Sequence, residues 1–221
     1  MTQALVVTLG VFAVTAGSLF IPAGRLDLPA FWAYLAIMFV PGLLSLPVVH
    51  SRSPGLIEER LHPGPGERDR LTAPVMVLSM ATHWVIAGLD VGRFRWSGDM
   101  PLVVQLAGFA GYAIGLGLAM WATLVNRFFS SAVRIQADRG HYVITTGPYQ
   151  CVRHPGYSGT LLFLLCSGLA LGSWWSILPV LFAVADLIYR TMLEDQMLQR
   201  ELPGYAEYAQ RVRHRLVPGL W

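Results

Sequence analysis

The chain has 221 residues, of which 54% are hydrophobic and 13% charged, with a formal net charge of +3 and a mean hydropathy of +0.51. Soluble domains carry roughly 25% charged residues, so this balance excludes an ordinary soluble domain and points to an integral membrane protein. No nucleic-acid partner and no obligate protein partner are expected.

In chain order, apolar runs near the length of a bilayer crossing fall at about 3–23, 30–50, 72–91 and 101–126. The first begins almost at the amino end and lacks a basic leader, so it reads as a retained span rather than a cleavable signal. Pro41 and Pro47 should bend the second helix, which membrane helices tolerate. Two further runs, 157–171 and 174–192, are parted only by Gly172 and Ser173 and predict a tight helical hairpin. The fold class is therefore all-α: a polytopic membrane bundle of five to six transmembrane helices. Residues 1–126 are expected to form its amino-terminal transmembrane half, and 127–221 a carboxyl-terminal region.

Arginine placement orients this bundle. All sixteen basic residues are Arg, and thirteen lie in the segments 51–70, 127–153 and 190–221. Six crossings put those three segments on one side, and the positive-inside rule makes that side the cytoplasm. Both termini then face the cytoplasm, in what is expected to be a bacterial inner (plasma) membrane. Within 51–70, LIEERL predicts a short interfacial helix between Pro- and Gly-containing turns. Near the carboxyl end, Tyr205, Tyr208 and Val212 with three Arg residues predict an amphipathic helix over about 204–214, lying on the headgroups or capping the site. Trp174 and Trp175 read as anchors at the opposite interface. His50, His62, His83 and His214 read as structural, and so does Cys166; nothing nearby in sequence activates Cys151.

The chemistry concentrates in GHYVITTGPYQCVRHPGYSG, residues 140–159, set between two long apolar runs. Polar groups in such a place are expensive and mark a site by default. His141 precedes a β-rich run, Tyr142 to Thr146, that ends in a Gly147–Pro148 turn. Tyr149, Arg153 and His154 follow, with Pro155, Gly156 and Tyr157 opening the next helix. Its amino-terminal N–H groups suit an anion. On the partner helix Asp186, Arg190 and Glu194 recur every fourth residue and share a face. The hairpin returns Arg190 and Glu194 to the level of His154 and Tyr157. A cation, a carboxylate, an imidazole and several aromatic rings then share one partly desolvated place, which suits a zwitterionic ligand bearing an aromatic base. The plainer reading is an ion-pair ladder, favoured for Asp186. No metal site is expected, because no HxxxH or HExxH spacing occurs.

HYVITTGPYQCVRHPGY, the run from Arg190 through Glu194-Asp195, and Tyr205-AE-Tyr208 together resemble the isoprenylcysteine carboxyl methyltransferases and their bacterial relatives. The phospholipid methyltransferases are similar in the same region. The resemblance covers about 134–218, and the loop LIEERLHPGPGERDR is similar to that of bacterial members. It implies a small membrane bundle holding S-adenosyl-L-methionine on the cytoplasmic side. The cofactor contacts it implies are Gln136, His141, Tyr142, Val143, Ile144, Tyr149, Arg153, His154, Pro155, Gly156, Tyr157 and Glu194. Arg190 matches the arginine that positions the acceptor's carboxylate, with Glu194 beside it in the catalytic set. Two departures are visible: the usual Glu-Glu pair is Glu194-Asp195, and the spacing before Tyr205 and Tyr208 is shortened.

Methyl transfer to an ionised carboxylate needs alignment and desolvation rather than a general base. An amine acceptor must lose a proton, for which Glu194, His154 or a water is the candidate base. Three enzyme readings follow. The first is methylation of a lipophilic carboxylate that enters from the bilayer, with membrane lipids as neighbours. The second is methylation of a phospholipid headgroup amine, and the third a membrane reductase using NADPH. A non-catalytic lipid-binding role is the fourth possibility.

Overall fold

The computed structural model describes residues 2–52, 54–61, 72–130 and 132–221. The expected turns at 62–71, and His62, lie outside the described residues. Among the described residues, four helices are long and apolar enough to cross a membrane: α1 (Thr2–Ala23), α2 (Pro29–Arg52), α4 (Thr72–Ala87, continued by a π-helix Gly88–Phe94) and α5 (Leu102–Val125). The expected interfacial helix is α3 (Pro54–Leu61). The hairpin is α6 (Pro155–Leu171) and α7 (Ile177–Glu201), followed by α8 (Tyr205–Arg211). Helix α2 runs through both Pro41 and Pro47. No strand occurs among the described residues, in keeping with the all-α class, and the β-rich run Tyr142–Thr146 pairs with no neighbouring segment. The run is irregular and packs Val143 against α8 instead of pairing with another extended segment.

In lipid, helices approach through small residues because no hydrophobic gradient drives them together. A Cβ built on Gly115 would fall 2.5 Å from the Phe163 nitrogen, and one on Gly159 would fall 2.5 Å from the Ala119 nitrogen. Backbones of α5 and α6 therefore touch, which holds the start of α6 against the end of α5. Gly172, at φ +84°, closes the hairpin in a left-handed conformation that Gly adopts without strain.

One set of polar side chains inside the bundle is linked by mutual hydrogen bonds, as lipid favours. His83 is fully buried, with Nδ1 2.7 Å from the Ser176 carbonyl and Nε2 2.7 Å from Ser167 Oγ. Ser167 meets the Tyr34 hydroxyl at 3.0 Å, and Trp84 Nε1 donates to that hydroxyl at 3.2 Å. At the opposite end from the motif, buried Asp90 accepts from Ser97 N (2.8 Å) and Ser173 Oγ (2.5 Å). Trp96, Trp174 and Trp175 are exposed there, as interface anchors should be.

Candidate active site

One cleft gathers the motif. It encloses about 750 Å³, counted out to its open mouth, between the segment 126–149, the start of α6, the end of α7 and α8. Of the sequence-predicted residues, Gln136, His141, Tyr142, Val143, Ile144, Tyr149, Arg153, His154, Gly156, Tyr157 and Glu194 line it. Pro155 does not, being buried as the first residue of α6, and Arg190 lies outside the lining.

The segment after α5 forms one wall. Asn126 ends that helix and donates through Nδ2 to the Tyr149 hydroxyl at 3.1 Å. The Phe128 ring lies 4.5 Å from His141 and meets Tyr142 edge-on at 5.0 Å. Gln136 donates to the Phe128 carbonyl at 2.6 Å and accepts from Arg139, so its amide fixes the wall rather than pointing free into the cleft. Arg134 anchors this wall to α3: its Nε and Nη2 donate to Glu59 at 3.0 and 2.7 Å, and Ser130 Oγ donates to the same carboxylate at 2.8 Å. Glu59 and Arg134 side chains are each 5% exposed. The Arg134 guanidinium outweighs burial and holds the Glu59 carboxyl below its usual range. Burial pushes the His141 imidazole below its ordinary value of 6.5, with Arg134 and Arg139 adding to the effect and Glu194 opposing it.

Asp195 organises the opposite wall. It is completely buried and accepts from Arg153 Nε (2.8 Å) and Nη2 (3.0 Å), Arg215 Nε (2.9 Å), the Tyr205 hydroxyl (3.0 Å) and Gln199 (2.8 Å). His154 Nε2 sits 3.2 Å from the same carboxylate. Arg153 Nη1 also donates to the carbonyls of Val212 and Arg213 at 3.0 and 2.8 Å. Arg153 is therefore committed to structure, and the cation on which a phosphate-binding reductase site would rest is already engaged. Burying several charges in one place is tolerable only because every partner is satisfied.

The backbone N–H groups of Arg153 and His154 donate to the carbonyls of His214 (3.0 Å) and Arg215 (2.9 Å). Pro155 has none. The expected anion site at the start of α6 is thereby narrowed to Gly156 and Tyr157, because the carboxyl-terminal tail occupies the approach. Tyr205 and Tyr208 are buried, and Tyr208 donates to the Tyr149 carbonyl at 2.6 Å. The amphipathic helix is thus a cap over the cleft, and it is shorter than the expected 204–214 because it ends at Arg211.

Glu194 is the acidic group facing the open volume. Its Oε2 accepts from the Tyr157 hydroxyl at 2.6 Å, and its Oε1 lies 3.9 Å from His154 Nδ1. Arg190 Nε donates to the same Tyr157 hydroxyl at 2.9 Å. The hairpin thus brings Arg190, Glu194, His154 and Tyr157 together at one level. Among the described residues no group of three His, Cys, Asp or Glu side chains is placed to hold a metal ion.

Sequence reasoning missed Phe128, Asn126 and Glu59, and gave Asp195 no role beyond its place in the acidic pair. Asp195 left a signal: Leu187, Thr191, Asp195 and Leu198 form the buried stripe of α7, so a carboxylate sits where the helix expects an apolar residue. The others left none, since their roles depend on which loop folds over which helix.

Residues 103–203 match the family model described as phospholipid methyltransferase. The chain is 31% identical over 139 residues to the cobalt-zinc-cadmium resistance protein CzcN of Cupriavidus metallidurans, covering 61% of this chain and 59% of that protein. It is 34% identical over 97 residues to a probable protein-S-isoprenylcysteine O-methyltransferase of Oryza sativa subsp. indica, covering 41% of this chain and 49% of that protein. The protein-S-isoprenylcysteine O-methyltransferase B of Arabidopsis thaliana is 32% identical over 93 residues, 39% of this chain and 45% of that protein. The matched region thus spans about half the length of these curated relatives.

Proposed function

We propose that the chain is an integral membrane methyltransferase of the kind formed by the isoprenylcysteine carboxyl methyltransferases and phospholipid methyltransferases, acting on a lipophilic carboxylate, a reading supported by the similarity of its carboxyl-terminal half to both. S-adenosyl-L-methionine would supply the activated methyl group as a sulfonium. The cleft suits it in chemistry. Glu194 offers an acceptor for cationic and hydroxyl groups, while Phe128, Tyr142 and Tyr149 offer ring faces for a base or a sulfonium. Arg190, one turn from Glu194 and joined to it through Tyr157, is placed to orient an acceptor carboxylate. Aligning the two partners out of water is worth several kcal/mol, about 7–11 at best. Because Arg190 stabilises the acceptor before reaction as well as during it, its contribution is orientation more than charge neutralisation.

The observation that carries this reading is the meeting of Tyr157, Arg190 and Glu194 at the base of a cleft lined by eleven of the thirteen expected residues. Incubating purified protein with methyl-labelled S-adenosylmethionine and a panel of prenyl-cysteine analogues, fatty acids and phosphatidylethanolamine tests it. Label transfer to an acid is expected, and transfer to none of the panel would refute the assignment. Transfer to phosphatidylethanolamine alone would support the second reading, headgroup amine methylation. His154 favours that alternative by one feature: its Nε2 faces Asp195, leaving Nδ1 turned toward Glu194 to take a proton.

A further inference from the structure

Tyr157 lines the donor cleft and also touches Arg190 outside it. Its ring is held on two sides. It stacks on His154 at 5.8 Å between centroids and 13° between planes, and it packs against the cluster of Leu164, Val180, Ala183 and Leu187. The ring therefore has little freedom, and the movable part is one hydroxyl proton. That hydroxyl gives its proton to Glu194 Oε2 at 2.6 Å and receives the Arg190 Nε–H at 2.9 Å. A hydroxyl donating to a carboxylate becomes a better acceptor, so the two bonds strengthen each other. Loosening one loosens the other.

Resting on the proposed reading that Glu194 faces the methyl donor and Arg190 the acceptor, we infer that the Tyr157 hydroxyl couples the two subsites. A donor that engages Glu194 draws the carboxylate from Tyr157, weakens the hydroxyl as an acceptor, and releases the Arg190 Nε–H toward an incoming carboxylate. Donor binding then raises acceptor affinity, and by linkage acceptor binding raises donor affinity equally. Tyr157 is a positioning residue in this scheme; it touches no reacting atom. The order of assembly is donor first, which keeps the acceptor-orienting guanidinium occupied until a methyl group is available.

The test reads Arg190 itself. In protein labelled with ¹⁵N-arginine, the Arg190 Nε–H signal is assigned by its loss in Arg190→Lys. Saturating S-adenosylmethionine, fixed for each variant by calorimetry, is expected to shift that signal in the wild type. In Tyr157→Phe, which keeps the ring and its packing, the signal should not respond to the donor. With a prenyl-cysteine analogue turned over at several donor concentrations, the acceptor KM should fall about five- to tenfold from limiting to saturating donor in wild type, within the usual range of site-to-site coupling, and should not depend on donor concentration in Tyr157→Phe. Equal responses in wild type and Tyr157→Phe, or none in a donor-bound wild type, overturn the coupling and leave the methyltransferase reading intact. If calorimetry shows no donor binding to folded wild type, that reading falls and the coupling falls with it.

Discussion

Two neighbouring acidic residues on α7 do different work because the helix turns about 100° between them. Glu194 faces the cleft, while Asp195 faces inward and collects Arg153, Arg215, His154, Tyr205 and Gln199. Removing the Asp195 carboxylate leaves two guanidinium groups without their shared counter-ion, a loss that usually costs roughly 3–5 kcal/mol. Asp195→Ala should therefore lower the thermal midpoint strongly and abolish donor binding through unfolding of the cap, measured by thermal denaturation in detergent. A midpoint within a few degrees of wild type would contradict the role. His141 predicts a pH dependence. Its folded value is depressed below 6.5, so it is neutral at pH 7, and stability and binding that need the neutral ring are present above 6.5 and lost as pH falls through the depressed value. Protonation then puts a positive charge beside a sulfonium site. Donor affinity should be flat from about pH 8 down to the ordinary histidine value and decline below it, and His141→Gln should remove the decline in a calorimetric pH series.

Helix packing decides whether these residues meet. The α5–α6 crossing allows no Cβ at Gly159, where the nearest atoms would be backbone at 2.5 Å. Gly159→Ala must push the helices apart, and overpacking of this kind costs typically 1–3 kcal/mol. The displaced start of α6 carries His154 and Tyr157, so both thermal midpoint and donor affinity should fall, while an alanine at Gly117, whose Cβ would meet nothing within 4 Å, should change neither. At this scale much was legible beforehand. The length and apolarity of α1, α2, α4 and α5 are local properties, and the Gly172–Ser173 break placed the hairpin and hence Arg190 near Tyr157. The β-rich composition of 142–146 shows only that a segment can extend, not that a neighbour exists to pair with it, and the run stays irregular. The partners of Arg153 were not legible: Asp195, Val212 and Arg213 are distant in sequence, and only the folded tail reveals them.

Across the whole molecule, the amino-terminal half contributes more than a membrane anchor. Buried Glu59 on α3 holds Arg134 and Ser130, and both of these residues line the cleft. Parts of the three Arg-rich segments thus converge on one site, with α3 bracing the wall at Ser130 and Arg134 and the tail after α8 bracing the other. Glu59→Gln should leave the spans folded while weakening donor binding about tenfold through a loosened wall, read as increased amide exchange across 127–140. Unchanged exchange there would show that the wall stands without α3. Conserving the pair's charges in swapped positions, Glu59→Arg with Arg134→Glu, should restore part of the affinity.

The central claim is that this cleft binds a sulfonium methyl donor through Glu194 while Arg190 serves the acceptor. Calorimetric titration of S-adenosylmethionine into purified wild type, Glu194→Ala and Arg190→Ala tests it most directly. The account predicts a dissociation constant between about 1 μM and 1 mM for wild type, the span within which enzymes commonly meet their substrates. It further predicts a loss of tenfold or more in Glu194→Ala, and a value within about threefold of wild type in Arg190→Ala. Donor binding that survives Glu194→Ala but is abolished by Arg190→Ala, or that is absent from folded wild type, would contradict it.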